Sequence, residues 1–296
     1  MNGIKNMKKH KSFFPFVFKE LEMDIAAERK NGAELRIMSS NIWGDYFGNP
    51  PHEREDALAD VFLRYLPDTL GMQEVTPNWW ASRLFTRLKE EYTVVEGDGP
   101  SHVNYIPLMY RPARLDLLEG GWQQYHPKLD RTKGFTWGLF RDRETGKRFI
   151  GYSTHFFWKS TEEGDYIRTV NAEKLMEKLT ELQRKYDCAV IGGGDFNCEV
   201  SSDPFKVMQK YGFESAQEFA EIASPECSHH GDPVRGDDDK YHGCPRPQNN
   251  VKDYSIDHLV VYRPSVRILQ EVVILDQDAL DATDHSPIFA DVFIDN

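Results

Sequence analysis

The side chains of Asn41, Glu74, His155, Asp195, Asn197, Asp257, Asp284 and His285 are of types that could share one piece of chemistry. Several of them close an apolar, strand-like run. Asn41 follows Arg36 to Ser40, Glu74 follows Leu70 to Gln73, His155 follows Ile150 to Thr154, and Asp195 comes soon after Ala189 to Ile191. Side chains at strand ends can converge on one rim. Carboxylates and an amide are hard oxygen donors, which suit Mg²⁺ or Mn²⁺ and leave positions for waters and phosphate oxygens. The histidines would also admit zinc, but the chain has no HExxH and no paired Cys/His spacing. Hydrolysis of a phosphate ester needs a cation against the oxygen charge, a positioned water and donors aimed at the developing charge, and this set could supply each. Taken singly, every member has a plainer reading. A strand-end Asn is commonly a turn residue, His155 a satisfied strand histidine, Asp284-His285 a loop pair, and Glu74 a solvated charge. Their joint occurrence carries the functional reading.

These residues need elements to hold them. Alternation predicts a strand over Glu34–Trp43, and apolar residues at helical spacing predict a helix from Glu53 to Tyr65, ended by Pro67. A short strand, Thr69–Gln73, follows, then a helix over Asn78–Glu90 and strands at Tyr92–Val95, Tyr105–Tyr110 and Leu115–Glu119. A hairpin is expected with arms Phe135–Arg141 and Arg148–His155, turning at Arg143–Gly146. The longest amphipathic pattern, Asp165–Lys185, feeds a strand at Cys188–Ile191 that Gly192–Gly194 are read as ending. Strand-like runs at Ser255–Tyr262, Val266–Leu275 and Pro287–Ile294 complete an α/β layered pattern. Ser224–Lys252 is rich in Pro, Gly, Asp and His with little apolar period, and is the candidate for a substrate-facing lid.

The chain of 296 residues is long enough to bury a full core. Its 48 acidic against 36 basic residues give a formal charge of −12, which disfavours stable binding to duplex DNA. The cysteines form no CxxC pair, and only Cys227 and Cys244 share a loop in which a disulfide could form. Cys227, His229, His230, His242 and Cys244 match no standard zinc spacing. Lys5, Lys8, Lys9 and Lys11 precede Phe13–Phe18, an apolar run too short and interrupted for a signal or a membrane span, so the chain reads as cytoplasmic. Trp79, Trp80, Trp122 and Trp158 read as packing residues, since no basic run interleaves them.

The runs Ser40-Asn41-Ile42-Trp43, Gly71-Met72-Gln73-Glu74-Val75, Ser153-Thr154-His155-Phe156, Gly194-Asp195-Phe196-Asn197, Ser255-Ile256-Asp257-His258 and Thr283-Asp284-His285-Ser286-Pro287 occur in this order. Together they resemble the endonuclease/exonuclease/phosphatase superfamily. The resemblance implies a four-layered α/β/β/α sandwich, two mainly antiparallel sheets face to face with helices outside, and a catalytic domain over 31–296 preceded by a tail or helix over 1–30. It implies Glu74 as the main ligand of Mg²⁺ (or Mn²⁺), with Asn41 and Asp284 completing the metal shell. Asp195 and Asn197 would position the attacking water or protonate the leaving oxygen, and His155 would hold a phosphate oxygen. Asp257 would orient His285, which would stabilise charge on phosphorus or act as base. Tyr110-Arg111-Pro112 resembles the family's central strand end, which leaves open an approach of Tyr110 to the site. His242-Gly243 resembles a segment preceding the Ile-Asp-His strand, as a structural or rim element.

The motifs define a reaction class rather than a substrate. The Gly-Met-Gln-Glu-Val form and the Ile-Asp-His strand look closest to the bacterial branch and to polyadenylate-removing exonucleases. The expected activity is that of a phosphodiesterase or phosphatase on a small phosphorylated metabolite or a single-stranded nucleotide end. A sphingomyelinase-like lipid phosphodiesterase is the alternative enzyme, for which Phe156-Phe157-Trp158 would be a small apolar patch. A binding module that kept the fold without catalysis is the alternative of another class, and the intact Glu74, Asp195, Asn197 and His285 argue against it.

Overall fold

The computed structural model describes residues 28–95, 104–243 and 255–295. The strands, in chain order, are β1 (Leu35–Asn41), β2 (Thr69–Gln73), β3 (Thr93–Val94), β4 (Leu108–Tyr110), β5 (Leu115–His126), β6 (Asp130–Asp142) and β7 (Arg148–His155). They continue as β8 (Ala189–Asp195), β9 (Phe213–Ser215), β10 (Val234–Arg235), β11 (Tyr241–His242), β12 (Asp257–Tyr262), β13 (Val266–Val273) and β14 (Ile288–Ile294). The α-helices are α1 (Glu55–Tyr65), α2 (Pro77–Trp80), α3 (Arg83–Leu88), α4 (Glu162–Tyr186), α5 (Asp203–Lys210) and α6 (Gln277–Ala282). One six-stranded sheet runs β13-β14-β1-β2-β4-β3 and the other β5-β6-β7-β8-β12-β9. Each holds one parallel pair, β1 with β2 and β7 with β8, in an otherwise antiparallel ladder.

Period-two alternation puts each strand's side chains to work on two faces. Leu35 and Ile37 of β1 meet Ala189 and Ile191 of β8 in a core between the sheets. Met38 of β1 points the other way, into a layer with Leu58, Val61 and Phe62 of α1. Val190 of β8 likewise packs under Leu175, Met176 and Leu179 of α4. Three apolar layers between four structural layers make the expected α/β/β/α sandwich.

Helix ends follow local chemistry. Thr161 caps α4 by accepting from the Gly164 N–H, with Glu162, Glu163 and Asp165 in the first turn and Arg184 and Lys185 in the last. The expected helix over 78–90 is two short helices, because the chain breaks at Ala81-Ser82, whose Ser begins α3. The expected strand at Leu115–Glu119 runs on to His126, through glycines that pair with β6.

The largest local correction is at Gly192–Gly194, which extend β8 to Asp195 rather than ending it. A Cβ on Gly194 would stand 1.8 Å from the Thr154 carbonyl oxygen and one on Gly193 2.3 Å from that of His258. Glycine is therefore required for the close fit of β7, β8 and β12, and the strand delivers Asp195 into register with His155 on one side and Asp257 on the other. Tyr110 pairs with Thr69, at the end of β2 remote from Gln73, and packs on Phe140, so it does not approach the site.

The segment leading to the expected lid is tied to β13. Ser224 N–H donates to the Glu271 carbonyl, Glu271 N–H to the Ile222 carbonyl, and Val273 N–H to the Ser224 hydroxyl. Cys188, Cys198 and Cys227 are free thiols, and Cys244 lies outside the described residues, as does the 1–30 segment up to residue 27 with its Phe13–Phe18 run. No helix among the described residues is long and apolar enough to cross a membrane.

Glu271 is buried, its Oε2 has no hydrogen-bond partner among the described residues, and burial, aided by the charge of Glu226, pushes its carboxyl up to about 8. The folded chain thus holds a proton that the unfolded chain releases near the ordinary carboxylate pKa. That contribution to stability is complete below about pH 4.5 and is lost as pH rises through about 8. Glu271→Gln removes the dependence. Across that window the wild type should lose on the order of 4 kcal/mol more than the variant, read from urea unfolding at pH 5 and pH 8.5; parallel losses would refute it.

Candidate active site

The C-terminal ends of β1, β2, β7 and β8, the start of β12 and the loop before β14 bring the expected residues to one end of the sandwich. Asp195, at the end of β8, is the hub. Its Oδ2 accepts from Asn41 Nδ2 at 3.0 Å, across the sheets, and lies 3.2 Å from His155 Nε2, while Oδ1 accepts from the Asn197 N–H at 2.8 Å. Burial alone would raise the Asp195 carboxyl, but His155, His285 and Lys133 hold it well below the usual carboxylate range.

On the other side, His285 Nδ1 lies 2.7 Å from Asp257 Oδ2, and the same oxygen accepts from the Ser228 hydroxyl at 2.7 Å. Burial opposes the imidazolium, yet Asp257 and Asp284 raise the His285 pKa well above its ordinary value. The ring is held by Asp257 at Nδ1, and its Nε2 lies 3.9 Å from Asp284 Oδ2.

Glu74 lies just past β2 with φ of 65°, and its Oε2 accepts from the Gly44 N–H at 2.7 Å. Burial works against its charge, but Lys133, His155 and the Gly44 N–H lower its pKa overall. Left-handed backbone in non-glycine residues is uncommon, and Trp43 and Asn197 at this site share it with φ of 54° and 52°. The Asn41 Oδ1 takes the Trp43 N–H, and Asn197 Nδ2 donates to the Phe156 carbonyl. Asp284 Oδ1 is buried with no hydrogen-bond partner among the described residues, and burial, with Glu74 adding to it, pushes that carboxyl up to about 7.

A divalent cation fits this donor set. Glu74, Asn41 and Asp284 offer hard oxygens, and the buried Asp284 Oδ1, which has no hydrogen-bond partner among the described residues, is a donor that a cation could use. Two tighter groupings, Asp195–Asp257–His285 and His229–Asp284–His285, place potential ligand atoms within 4.8 Å of one another, and Glu74 stands outside both.

Several participants escaped the sequence reading. The Ser228–His230 part of the expected lid is a wall of the site. His229 bridges to His285 by backbone and meets its ring edge-on at 4.6 Å. His230 Nε2 lies 2.9 Å from the Thr283 carbonyl, with Nδ1 3.0 Å from the Ser286 hydroxyl, and burial with the nearby His285 charge pushes its pKa down to about 4. A loop rich in Gly, Pro and His gave no sign of which residues would dock. His242 sits instead on the exposed β10–β11 hairpin beside Asp238, and that hairpin reaches the site's edge through Tyr241 against Trp43. Lys133 of β6, with Nζ 2.7 Å from His155 Nε2, belongs to no apolar run's end and was missed. Of Phe156-Phe157-Trp158, the two phenylalanines are buried and only Trp158, 56% exposed, faces solvent, so no apolar patch forms there.

Arg54 was missed for the same reason. Buried in α1's approach, its guanidinium donates to the carbonyls of Ile42, Trp43, Asn49 and Ala282, and it stacks on Trp43 and Trp79. It ties the loop after Asn41 to the chain entering Asp284.

The model of the endonuclease/exonuclease/phosphatase family matches residues 38–285. The chain belongs to that family. Its fold matches that of a family member from Bacteroides vulgatus with a TM-score of 0.71 at 22% identity, covering 88% of this chain and 99% of the other. A Bacteroides thetaiotaomicron mannosyl-6-phosphatase matches with a TM-score of 0.64 at 20% identity, over 88% and 100%. D. rerio TDP2 complexed with single strand DNA product matches with a TM-score of 0.59 at 18% identity, over 88% and 98%. The search of curated proteins gave no match. Family members are hydrolases of phosphoester bonds, and the cluster of acidic residues and histidines found here is one that could hold a metal ion.

Arg54→Met would leave the carbonyls of Ile42, Trp43, Asn49 and Ala282 without their donor. A loss of about 3 kcal/mol or more is expected in denaturant unfolding, with Arg54→Lys intermediate because an ammonium lacks the planar fork. A loss below about 1 kcal/mol in the Met variant would show that the tether is dispensable.

Proposed function

We propose that the chain is a Mg²⁺-dependent (or Mn²⁺-dependent) hydrolase of phosphate esters, a phosphatase or phosphodiesterase acting on a small phosphorylated metabolite. The observation that carries this reading is the loading of Asp195. Its three contacts, to Asn41, His155 and the Asn197 N–H, fix an ionised carboxylate between the two sheets.

Asp195 and Asn197 hold the attacking water, the carboxylate taking its proton or passing one toward the leaving oxygen. His285, kept cationic by Asp257, donates from Nε2 to a phosphoryl oxygen as charge builds there. Ser228 fixes Asp257 through the oxygen that holds the imidazole. His155 holds a further phosphate oxygen from the Asp195 side. Glu74, Asn41 and Asp284 would hold the cation, whose chemistry is to neutralise phosphoryl oxygens. The formal charge of −12 speaks against long polyanions, and the likeness to a mannosyl-6-phosphatase is compatible with a small monoester.

A single-stranded nucleotide end is the second reading. Phe47 is 86% exposed on the loop after β1, and Trp158 is exposed on the loop after β7, so bases could stack beside the cleft. The β10–β11 hairpin stands at the same edge.

Hydrolysis of p-nitrophenyl phosphate and bis-p-nitrophenyl phosphate with Mg²⁺, Mn²⁺ or EDTA tests the proposal. Metal-dependent release is expected, abolished by EDTA and by Glu74→Gln, whose fold should be retained. His285→Ala should lower kcat by at least ~10²-fold. Full activity in EDTA or in the Glu74 variant would overturn the metal role, and no release of nitrophenol or of phosphate from a panel of sugar and nucleotide phosphates would overturn the hydrolase reading.

A further inference from the structure

The last unexplained group in the cleft is a cation. Lys133 lies on β6 one residue before Gly134, which pairs with His155. Its side chain is buried, and its Nζ lies 2.7 Å from Nε2 and 3.2 Å from Nδ1 of His155. Burial lowers its pKa, with Glu74, Asp195 and Asp130 acting the other way, and among the described residues no carboxylate oxygen is within ion-pair distance of it. An ammonium has three N–H donors, and a neutral imidazole has one lone pair. Among the described residues His155 is the only hydrogen-bond partner of Lys133, so at least two of its donors find no protein acceptor there, in a buried place where an unmet charged donor is costly.

The hydrogen positions sharpen this. His155 Nε2 is close to both Lys133 Nζ and Asp195 Oδ2. If Nε2 carries a proton it can donate to Asp195, but it then faces the ammonium donor to donor at 2.7 Å. If it carries none it can accept from Lys133, but it then turns a lone pair toward the carboxylate. Both contacts cannot be hydrogen bonds at once. With the proton on Nε2, His155 donates to Asp195 and offers Lys133 its Nδ1 lone pair at 3.2 Å, which takes one of the three ammonium donors and leaves the others for a further acceptor.

We propose that Lys133 is a catalytic residue whose ammonium holds an anionic oxygen of the substrate's phosphoryl group. This rests on the phosphoesterase reading for its reaction, although the anion site itself does not. Lysine there gives a point charge with several donors, suited to an oxygen whose charge grows as the bond to phosphorus breaks. The alternative is a structural counter-ion to Asp195 and Glu74 that never meets substrate.

The test is binding of inorganic phosphate, by calorimetry in saturating MgCl₂, to the wild type, Lys133→Met and Lys133→Arg, with thermal unfolding and Mg²⁺ affinity measured on the same samples. Lys133→Met should weaken phosphate binding and lower kcat/KM by at least about tenfold, with Mg²⁺ affinity retained and unfolding temperature not reduced. Lys133→Arg should recover part of both. A folded Lys133→Met chain that binds phosphate as the wild type does overturns the proposal, as does a wild type that binds none. Should the Met variant fail to fold, the ¹⁵Nζ resonance of Lys133 in the wild type decides, since it must shift on adding phosphate and an unmoved resonance refutes the contact. Phosphate binding through Lys133 in a chain that hydrolyses no ester would sink the hydrolase reading and leave the anion site standing.

Discussion

A carboxylate taken out of water between two sheets must be matched by donors and cations, and the Asp195 side chain sets that demand for the whole site. Asn41 meets it from one sheet, and His155 and the Asn197 N–H meet it from the other. Lys133 and His285 supply the field that keeps it charged. The backbone answers the same demand. Asp195 lies in register with His155 and Asp257, so three candidate site residues arrive side by side from β7, β8 and β12. That spacing is possible only because Gly193 and Gly194 bring no Cβ into the ladder.

The price of the arrangement is local strain held by packing elsewhere. Trp43, Glu74 and Asn197 sit in left-handed backbone just past the ends of β1, β2 and β8, which turns each chain sharply across the rim. Gly44 N–H pins Glu74, and the Phe156 carbonyl takes the Asn197 amide. Arg54 closes the system from below, joining four carbonyls from two loops that lie far apart in sequence. The strained residues keep their conformations because these buried hydrogen bonds leave them few alternatives.

What could be read from sequence follows from which signals are local. Strand periodicity located β1, β2, β7 and β8, and a polar residue ending an apolar run is visible without any partner, so Asn41, Glu74, His155 and Asp195 were legible. Gly192–Gly194 were misread because glycine's local meaning is a break, whereas here the reason for it is the backbone of β7 and β12 on either side. Lys133 lies before the apolar stretch of β6, where a lysine usually marks a strand's wet end, and only the register of Gly134 with His155 turns it inward. Ser228, His229 and His230 belong to a segment with no period, and their place comes from the ties of Ser224 to β13 and of His230 to Asp284. Arg54 looked like an ordinary charge at a helix start. Each miss is a residue whose role is defined by a partner distant along the chain.

The charges at the site do not balance. Glu74, Asp195, Asp257 and Asp284 outnumber Lys133, Arg54 and His285, and burial, with Glu74 adding to it, raises the Asp284 pKa. A phosphate anion approaching the chain alone would meet excess negative charge at the site and a formal −12 over the whole molecule. On the proposed phosphoesterase reading a bound cation would offset that charge, and by linkage a cation that favours the substrate would itself be held more tightly once the substrate is in place. The correction is confined to the cleft, since charge is screened within about 8 Å at physiological salt. Beyond that distance the acidic surface still repels. A phosphate group small enough to sit within the corrected zone is favoured over a long polyanion, which is the physical ground for preferring a small ester, or the end of a strand, as substrate.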